Sequence, residues 1–352
     1  DAGQYVSATS PAPLATGGTS SGEGGAPGTR GPRPSFAVLA GFRNDFKPLG
    51  AFATDVTYGG FTETGELVLW AAWALPAPGR YWAGSHSSKV VVFGDPEDTS
   101  DQNALWSSQL VEGLLSPWKR GSPPLTVAWA AVAVGETDVI AIASDSGEHV
   151  GSELSLLSTA QPDAWRAARV SLITPRIKTT VGLCQGFLFV VGGETRPDND
   201  PEAIAQVESA PVTPQGVGSM KASADLVSGG MPLPRTDLSV ACGRERLYVV
   251  GGNEEPYQRV GSVQVLSGVI GTDGTVSSWE EEPRLLYPVG GAAAVVAAGK
   301  LVIAGGYNAS RLDSVSFAEL DAGGHVVAWR AEGNPTLPAA VQDASAVSMG
   351  LE

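Results

Sequence analysis

The sequence predicts an all-β fold closed into a ring of six four-stranded units, a β-propeller, and three observations carry the prediction. The first is a tryptophan beat: Trp70, Trp118, Trp165, Trp279 and Trp329 lie 48, 47, 114 and 50 residues apart, and Met220 stands where the double step lacks a tryptophan. The second is a set of short apolar runs in the same rhythm, most of them ending in glycine: Phe36–Gly41, Val90–Gly94, Val139–Ala143, Phe187–Gly193, Leu247–Gly252 and Leu301–Gly306. The third is composition, with 45 Gly and 25 Pro but only 17% charged residues, which suits strands joined by tight turns. Short strands repeating about every 50 residues are the signature of propeller blades.

Each unit reads in the same order. The glycine-ended run is followed by a polar loop, then by an alternating strand that begins at Asp55, Leu105, Leu154, Val207, Val263 or Val315. A glycine turn comes next, clearest in Gly271-Thr272-Asp273-Gly274, and leads into the tryptophan strand, as in Thr275–Trp279. A small-residue strand such as Gly291–Val296 completes four strands per unit. Period-2 alternation and turn signals every 8–12 residues support the reading.

The last unit stops after Asp343–Gly350, before any glycine-ended run, and the first begins with such a run. The two halves complete each other, so pairing of the C-terminal strand with Phe36–Gly41 is expected to close the ring and remove the free edges that invite aggregation. Residues 35–352 form the propeller in this reading. Residues 1–34 form an extended tail or linker, because Gly, Ala, Pro, Ser and Thr fill 26 of the 34 positions and only Tyr5, Val6 and Leu14 are larger apolar residues.

The double glycines Gly192-Gly193, Gly251-Gly252 and Gly305-Gly306, with tryptophan some 24–35 residues later, resemble the kelch repeat family, and the likeness spans about residues 35–350. It is strong in the last three units and decayed earlier, where Gly41-Phe42, Gly94-Asp95 and Ala143-Ser144 replace the pair. The resemblance implies blades whose consensus residues are structural, the tryptophan packing between neighbours. It leaves function open among binding modules, scaffolds, galactose-oxidase-like enzymes and sugar-mutarotase-like proteins.

Net charge is −15, which repels phosphate backbones and disfavours nucleic acid as a partner. No run of about 18 apolar residues exists, so no membrane span is expected. The chain starts at Asp1 without a hydrophobic leader, and its tail is similar to the spacers of secreted bacterial proteins. An extracellular, cell-surface or periplasmic location is therefore expected. Cys184 and Cys242 occupy matching repeat positions, and the sequence leaves open a disulfide between blades or two buried thiols.

No catalytic cluster is legible. His86, His149 and His325 are the three histidines, each in a separate unit, and none has metal-ligand spacing. Fourteen of the 37 acids fall in the loops after the apolar runs, loops that would share one face and suit Ca2+ or a basic partner. The candidate binding residues are Asp95, Asp98 and Asp101, then Asp198, Asp200 and Glu202, together with Trp82 as a sugar platform. No cofactor is expected beyond Ca2+. The favoured function is a non-catalytic binding or structural propeller, a subunit of a surface assembly gripped through Tyr5 and Val6 of the tail. A carbohydrate-binding or mutarotase-like propeller, working in the central pocket, is the alternative.

Overall fold

The computed structural model describes residues 33–39, 56–71, 75, 79–86, 89–96, 104–111, 114–121, 129–135, 138–144, 151–158, 165–196, 200–223, 231–331 and 333–349. All its regular elements are strands. In chain order they begin with β1 (Phe36–Leu39), β2 (Val56–Phe61) and β3 (Leu67–Ala71). The next blade holds β4 (Gly79–His86), β5 (Lys89–Pro96), β6 (Ala104–Val111), β7 (Leu114–Leu115) and β8 (Lys119–Arg120). The third holds β9 (Trp129–Val134), β10 (Asp138–Ser144), β11 (Gly151–Ser158) and β12 (Trp165–Arg176). Then come β13 (Thr180–Cys184), β14 (Phe187–Val191), the small pair β15 (Glu194–Thr195) and β16 (Glu202–Ala203), β17 (Val207–Thr213), β18 (Gly216–Val217) and β19 (Lys221–Ala222). They are followed by β20 (Ser239–Cys242), β21 (Arg246–Val250), β22 (Val265–Ile270) and β23 (Val276–Glu282). The last blade has β24 (Ala293–Ala297), β25 (Lys300–Ala304), the small pair β26 (Tyr307–Asn308) and β27 (Ser310–Arg311), β28 (Val315–Leu320) and β29 (Val326–Arg330), and β30 (Ser345–Ser348) ends the described chain.

Every pairing is antiparallel, and each blade is a meander whose innermost strand comes first in its sequence, except in the closing sheet, where β30 lies innermost. The inner strands β30, β4, β9, β13, β20 and β24 lie side by side in that order, and β24 returns to β30. A β-propeller results. The expected ring of six like four-stranded kelch-type units is corrected, however. Five blades are contiguous in sequence, while the closing sheet, β3-β2-β1-β30, is a composite of both ends of the chain. Nor are the contiguous blades alike, because two of them have five strands. Their outer strand is broken: Pro117, which has no N–H for the ladder, separates β7 from β8. In the other, Gly218 turns back to donate its N–H to the Pro211 carbonyl between β18 and β19.

Closure follows the register Phe36↔Ser348, Ala37↔Val347, Val38↔Ala346 and Leu39↔Ser345. The Phe36 ring lies over Gly59, where a Cβ would come within 2.0 Å of it, so β2 needs glycine at that point. Phe61 meets Phe317 of the last blade edge-on at 5.0 Å, binding the composite sheet to its neighbour. Core side chains such as Phe36, Leu39, Val302 and Phe317 are almost wholly buried, each burial worth roughly 1.5–3 kcal/mol.

The double glycines are explained by a threefold repeated geometry. Gly193, Gly252 and Gly306 donate their N–H groups to Arg235, Val289 and Val341 carbonyls of the next blade, at 2.8, 2.9 and 2.7 Å. The preceding glycines, Gly192, Gly251 and Gly305, have φ of 56°, 61° and 64°, and a Cβ on each would lie 2.2–2.7 Å from one of those carbonyls. The chain leaves each blade pressed against the next one, and only glycine fits there.

Tertiary links between blades are also covalent and polar. Cys184 at the end of β13 and Cys242 at the end of β20 form a disulfide, with Cα atoms 5.5 Å apart. Trp329 donates its indole N–H to the Pro283 carbonyl of the preceding blade at 2.7 Å. No helix among the described residues is long and apolar enough to cross a membrane.

Candidate ligand site in the central channel

The inner strands surround a cavity of about 210 Å3. Its walls are small side chains, among them Ala83, Ala131, Ala293 and Ala346, which is why the small-residue strands face the axis. Hydroxyls on these strands act as stitching. Thr180 Oγ1 donates to the Leu238 carbonyl and Ser239 Oγ to the Ala292 carbonyl, both at 2.7 Å, and Ser345 Oγ accepts the Ala83 N–H at 3.1 Å. Each bond crosses from one inner strand to the next, where no sheet ladder exists.

Two residues upstream of those positions sits a second repeated slot, at the channel mouth. Lys178, Asp237, Gly291 and Asp343 occupy it, with φ of 50°, 51°, 55° and 54°. Glycine and aspartate tolerate this left-handed conformation best, so their recurrence has a backbone cause. Gly291 donates its N–H to the Asp237 carbonyl and Asp343 its N–H to the Gly291 carbonyl, each at 2.8 Å, tying the mouth across three blades. Since the inner strands run in ring order, Lys178 and Asp343 stand on opposite sides of the opening.

The side chains in this slot are held. Asp237 Oδ2 accepts from the Tyr307 hydroxyl at 3.0 Å and from Asn253 Nδ2 at 3.2 Å, and Asn253 also bonds Tyr307. Burial, and then the charge of Asp237, push the Tyr307 hydroxyl well above its ordinary value, so it stays a donor. Asp343 lies over Gly291, where a Cβ would sit 2.7 Å from Oδ1, and its Oδ2 accepts from Gln342 at 3.1 Å. Lys178 Nζ donates to Glu194 Oε2 at 3.1 Å and stands 5.3 Å from the Tyr257 ring centroid. Tyr257 is 70% exposed.

The sequence-based candidates fall elsewhere. Asp95 is on β5 opposite Arg80, and Trp82 is on β4 opposite Phe93, next to the channel-lining Ala83. Asp200 and Glu202 are exposed, Glu202 on the small strand β16. Asp98, Asp101, Asp198, Tyr5 and Val6 lie outside the described residues. Among the described residues no group of three or more His, Cys, Asp or Glu comes together as a metal site. Glu194, one of the fourteen acids in the loops after the apolar runs, is fully buried beneath Lys178 and Arg196. Lys178, Asp237 and Asp343 were missed, although Lys178, Asp237 and Gly291 each stand 14 residues before the first glycine of a pair, Gly192, Gly251 and Gly305.

No family description matches the chain, and no curated protein matches it. Among solved structures it is similar to the one titled "Structure of YjhT", a β-propeller, with a TM-score of 0.59 and 11% identity over 77% of this chain and 88% of that one. At that identity the likeness shows the fold alone.

Proposed function

We propose that this chain is a non-catalytic binding propeller that works outside the cytoplasm and takes a small polar ligand at the mouth of its central channel. The observation that carries the reading is the repeated mouth slot, which sets Lys178, Asp237 and Asp343 around one cavity on a fixed backbone ring. Binding is favoured over catalysis because the titratable groups there are already engaged. Lys178 is held by Glu194, Asp237 by Tyr307 and Asn253, and Tyr307 is driven away from the pKa of a working base. The Cys184–Cys242 disulfide supports an oxidising compartment, and the double-glycine geometry supports the kelch-like reading of the blades. Tyr5 and Val6, the residues expected to grip an assembly, lie outside the described residues.

The test is a thermal-shift screen of small polar compounds against the wild type and the channel-filling variants Ala294→Phe and Ala346→Phe. Stabilisation of the wild type by a compound that leaves both variants unmoved is expected. Equal stabilisation of wild type and variants sinks the reading, as does silence across a panel of sugars, amino acids and polyamines.

A further inference from the structure

Lys178 and Asp237 carry opposite charges, occupy neighbouring positions of the mouth slot and line one cavity, yet their bonds go elsewhere. On the Lys178 side two cations share one carboxylate. Glu194, fully buried, lies 3.1 Å from Lys178 Nζ and 3.5 Å from Arg196 Nη2, which leaves one net positive charge. Lys178 makes a single hydrogen bond there, to Glu194, although an ammonium has three N–H groups. On the Asp237 side both partners are neutral: the Tyr307 hydroxyl and Asn253 Nδ2 donate to Oδ2, and Oδ1 accepts from neither. Asn253 is itself fixed, its Oδ1 accepting the Gly261 N–H at 3.0 Å, so the carboxylate is held in place. Across the opening, burial lowers the Arg311 pKa and the Asp343 carboxylate beside it raises it again, so that side holds one charge of each sign. The Lys178 and Asp237 positions therefore present one unmatched charge of each sign, side by side, above small apolar residues such as Ala131, Val181 and Ala293.

We propose that the channel mouth binds a free α-amino acid with an apolar side chain, its carboxylate at the Lys178 ammonium and its ammonium at Asp237 Oδ1. The inference rests on the channel-ligand reading above and names its ligand class. A zwitterion answers both unmatched charges at once. A simple cation or anion answers one and meets a like charge beside it, which discriminates against either. Charge-assisted hydrogen bonds at both ends fix the orientation of the bound molecule. Its side chain is then left to the alanine and valine wall, where burial of apolar surface adds to affinity. The cavity, at about 210 Å3, is smaller than the ~300–1,000 Å3 of drug-sized sites and suits one molecule of this size.

The experiment titrates alanine, valine and leucine, and then leucinamide, N-acetylleucine and glucose, against the full chain by calorimetry. Wild type, Asp237→Asn, Lys178→Gln, Lys178→Arg and Ala346→Phe are compared, with melting temperatures confirming folding. At least one of the three amino acids is expected to bind. Leucinamide and N-acetylleucine each lack one charge and should bind about tenfold or more weakly than leucine, a test that leaves the protein unaltered. Asp237→Asn keeps the side-chain shape and should weaken leucine about tenfold while leaving N-acetylleucine unchanged, since that compound has no ammonium to lose. Lys178→Gln should weaken leucine and spare leucinamide, and Lys178→Arg should hold leucine within about threefold. Blocked forms that bind as well as leucine, or leucine binding indifferent to Asp237→Asn and Lys178→Gln yet abolished by Ala346→Phe, overturn the amino-acid assignment and leave the channel reading standing. So does failure of all three amino acids while glucose binds and is lost in Ala346→Phe. Silence from every compound overturns the assignment, and leucine binding untouched by Ala346→Phe overturns both readings.

Discussion

Arg176 and Glu208 form an ion pair in which neither side chain is exposed to solvent. Glu208 also accepts the backbone N–H groups of Ile173 and Thr174, at 2.6 and 3.0 Å, while Arg176 bonds the carbonyls of Thr174, Gly192 and Gln206. The pair thus satisfies the backbone where β12 gives way to the channel mouth at Lys178. Burial lowers the Arg176 pKa and the adjacent carboxylate raises it again, so the site depends on both partners.

Glu208→Gln should destabilise the fold by about 3–5 kcal/mol, because it strands a buried guanidinium. Denaturant unfolding of the variant checks this. Restoring balance with the second change Arg176→Met should recover much of the loss; a double variant as unstable as the single one would show that the backbone bonds, and not the charge pair, dominate.

The double glycines give a prediction with an internal control. A Cβ at Gly251 would lie 2.2 Å from the Val289 carbonyl oxygen, whereas Gly299, with a comparable φ of 69°, has nothing within 4 Å. Gly299→Ala should cost only the left-handed penalty, about 1–2 kcal/mol. Gly251→Ala should cost roughly 3 kcal/mol or more, because the contact with the next blade must open as well. Equal losses in equilibrium unfolding would refute the interblade account.

This contrast shows what the sequence made legible. The Gly-Gly pairs, the tryptophan beat and the split last blade are visible because they repeat, and they led to the strand order and to the β1–β30 closure. The broken outer strands were not visible, since one Pro117 or Gly218 decides them within a single unit. The candidate site was hidden for a different reason. The slot holds Lys178, Asp237, Gly291 and Asp343, so no single residue type marks it in the sequence. Reading charge density alone pointed to the acidic loops, of which Glu194 is buried as a structural partner.

Tyr248 carries an alkaline signature. Its hydroxyl donates to the Gly324 carbonyl of the next blade, and burial, with the charge of Glu282, pushes it up to about 12. A folded pKa above the unfolded value near 10 means the contribution is complete below pH 10 and is lost as pH rises towards 12. Stability measured by denaturant between pH 8.5 and 11.5 should decline in the wild type. Tyr248→Phe should start lower, having lost the hydrogen bond, but decline less. Parallel pH profiles would remove Tyr248 as the cause.

Cys184 and Cys242 close a loop of 58 residues between adjacent inner strands. Loop-closure entropy places the stabilisation at about 4 kcal/mol, as an upper figure for a chain that keeps no residual structure when unfolded. The bond lies at the end of β13 and β20 remote from Lys178 and Asp237, so its loss should act on stability first and on the mouth only through the spacing of two strands. Cys184→Ser with Cys242→Ser should lower the denaturation midpoint in non-reducing buffer, and added dithiothreitol should bring the wild type down to the same value while leaving the variant unmoved. A wild type indifferent to the reductant and equal to the double variant would mean that the hydroxyl stitches of Thr180 and Ser239, and not the disulfide, hold these two blades together.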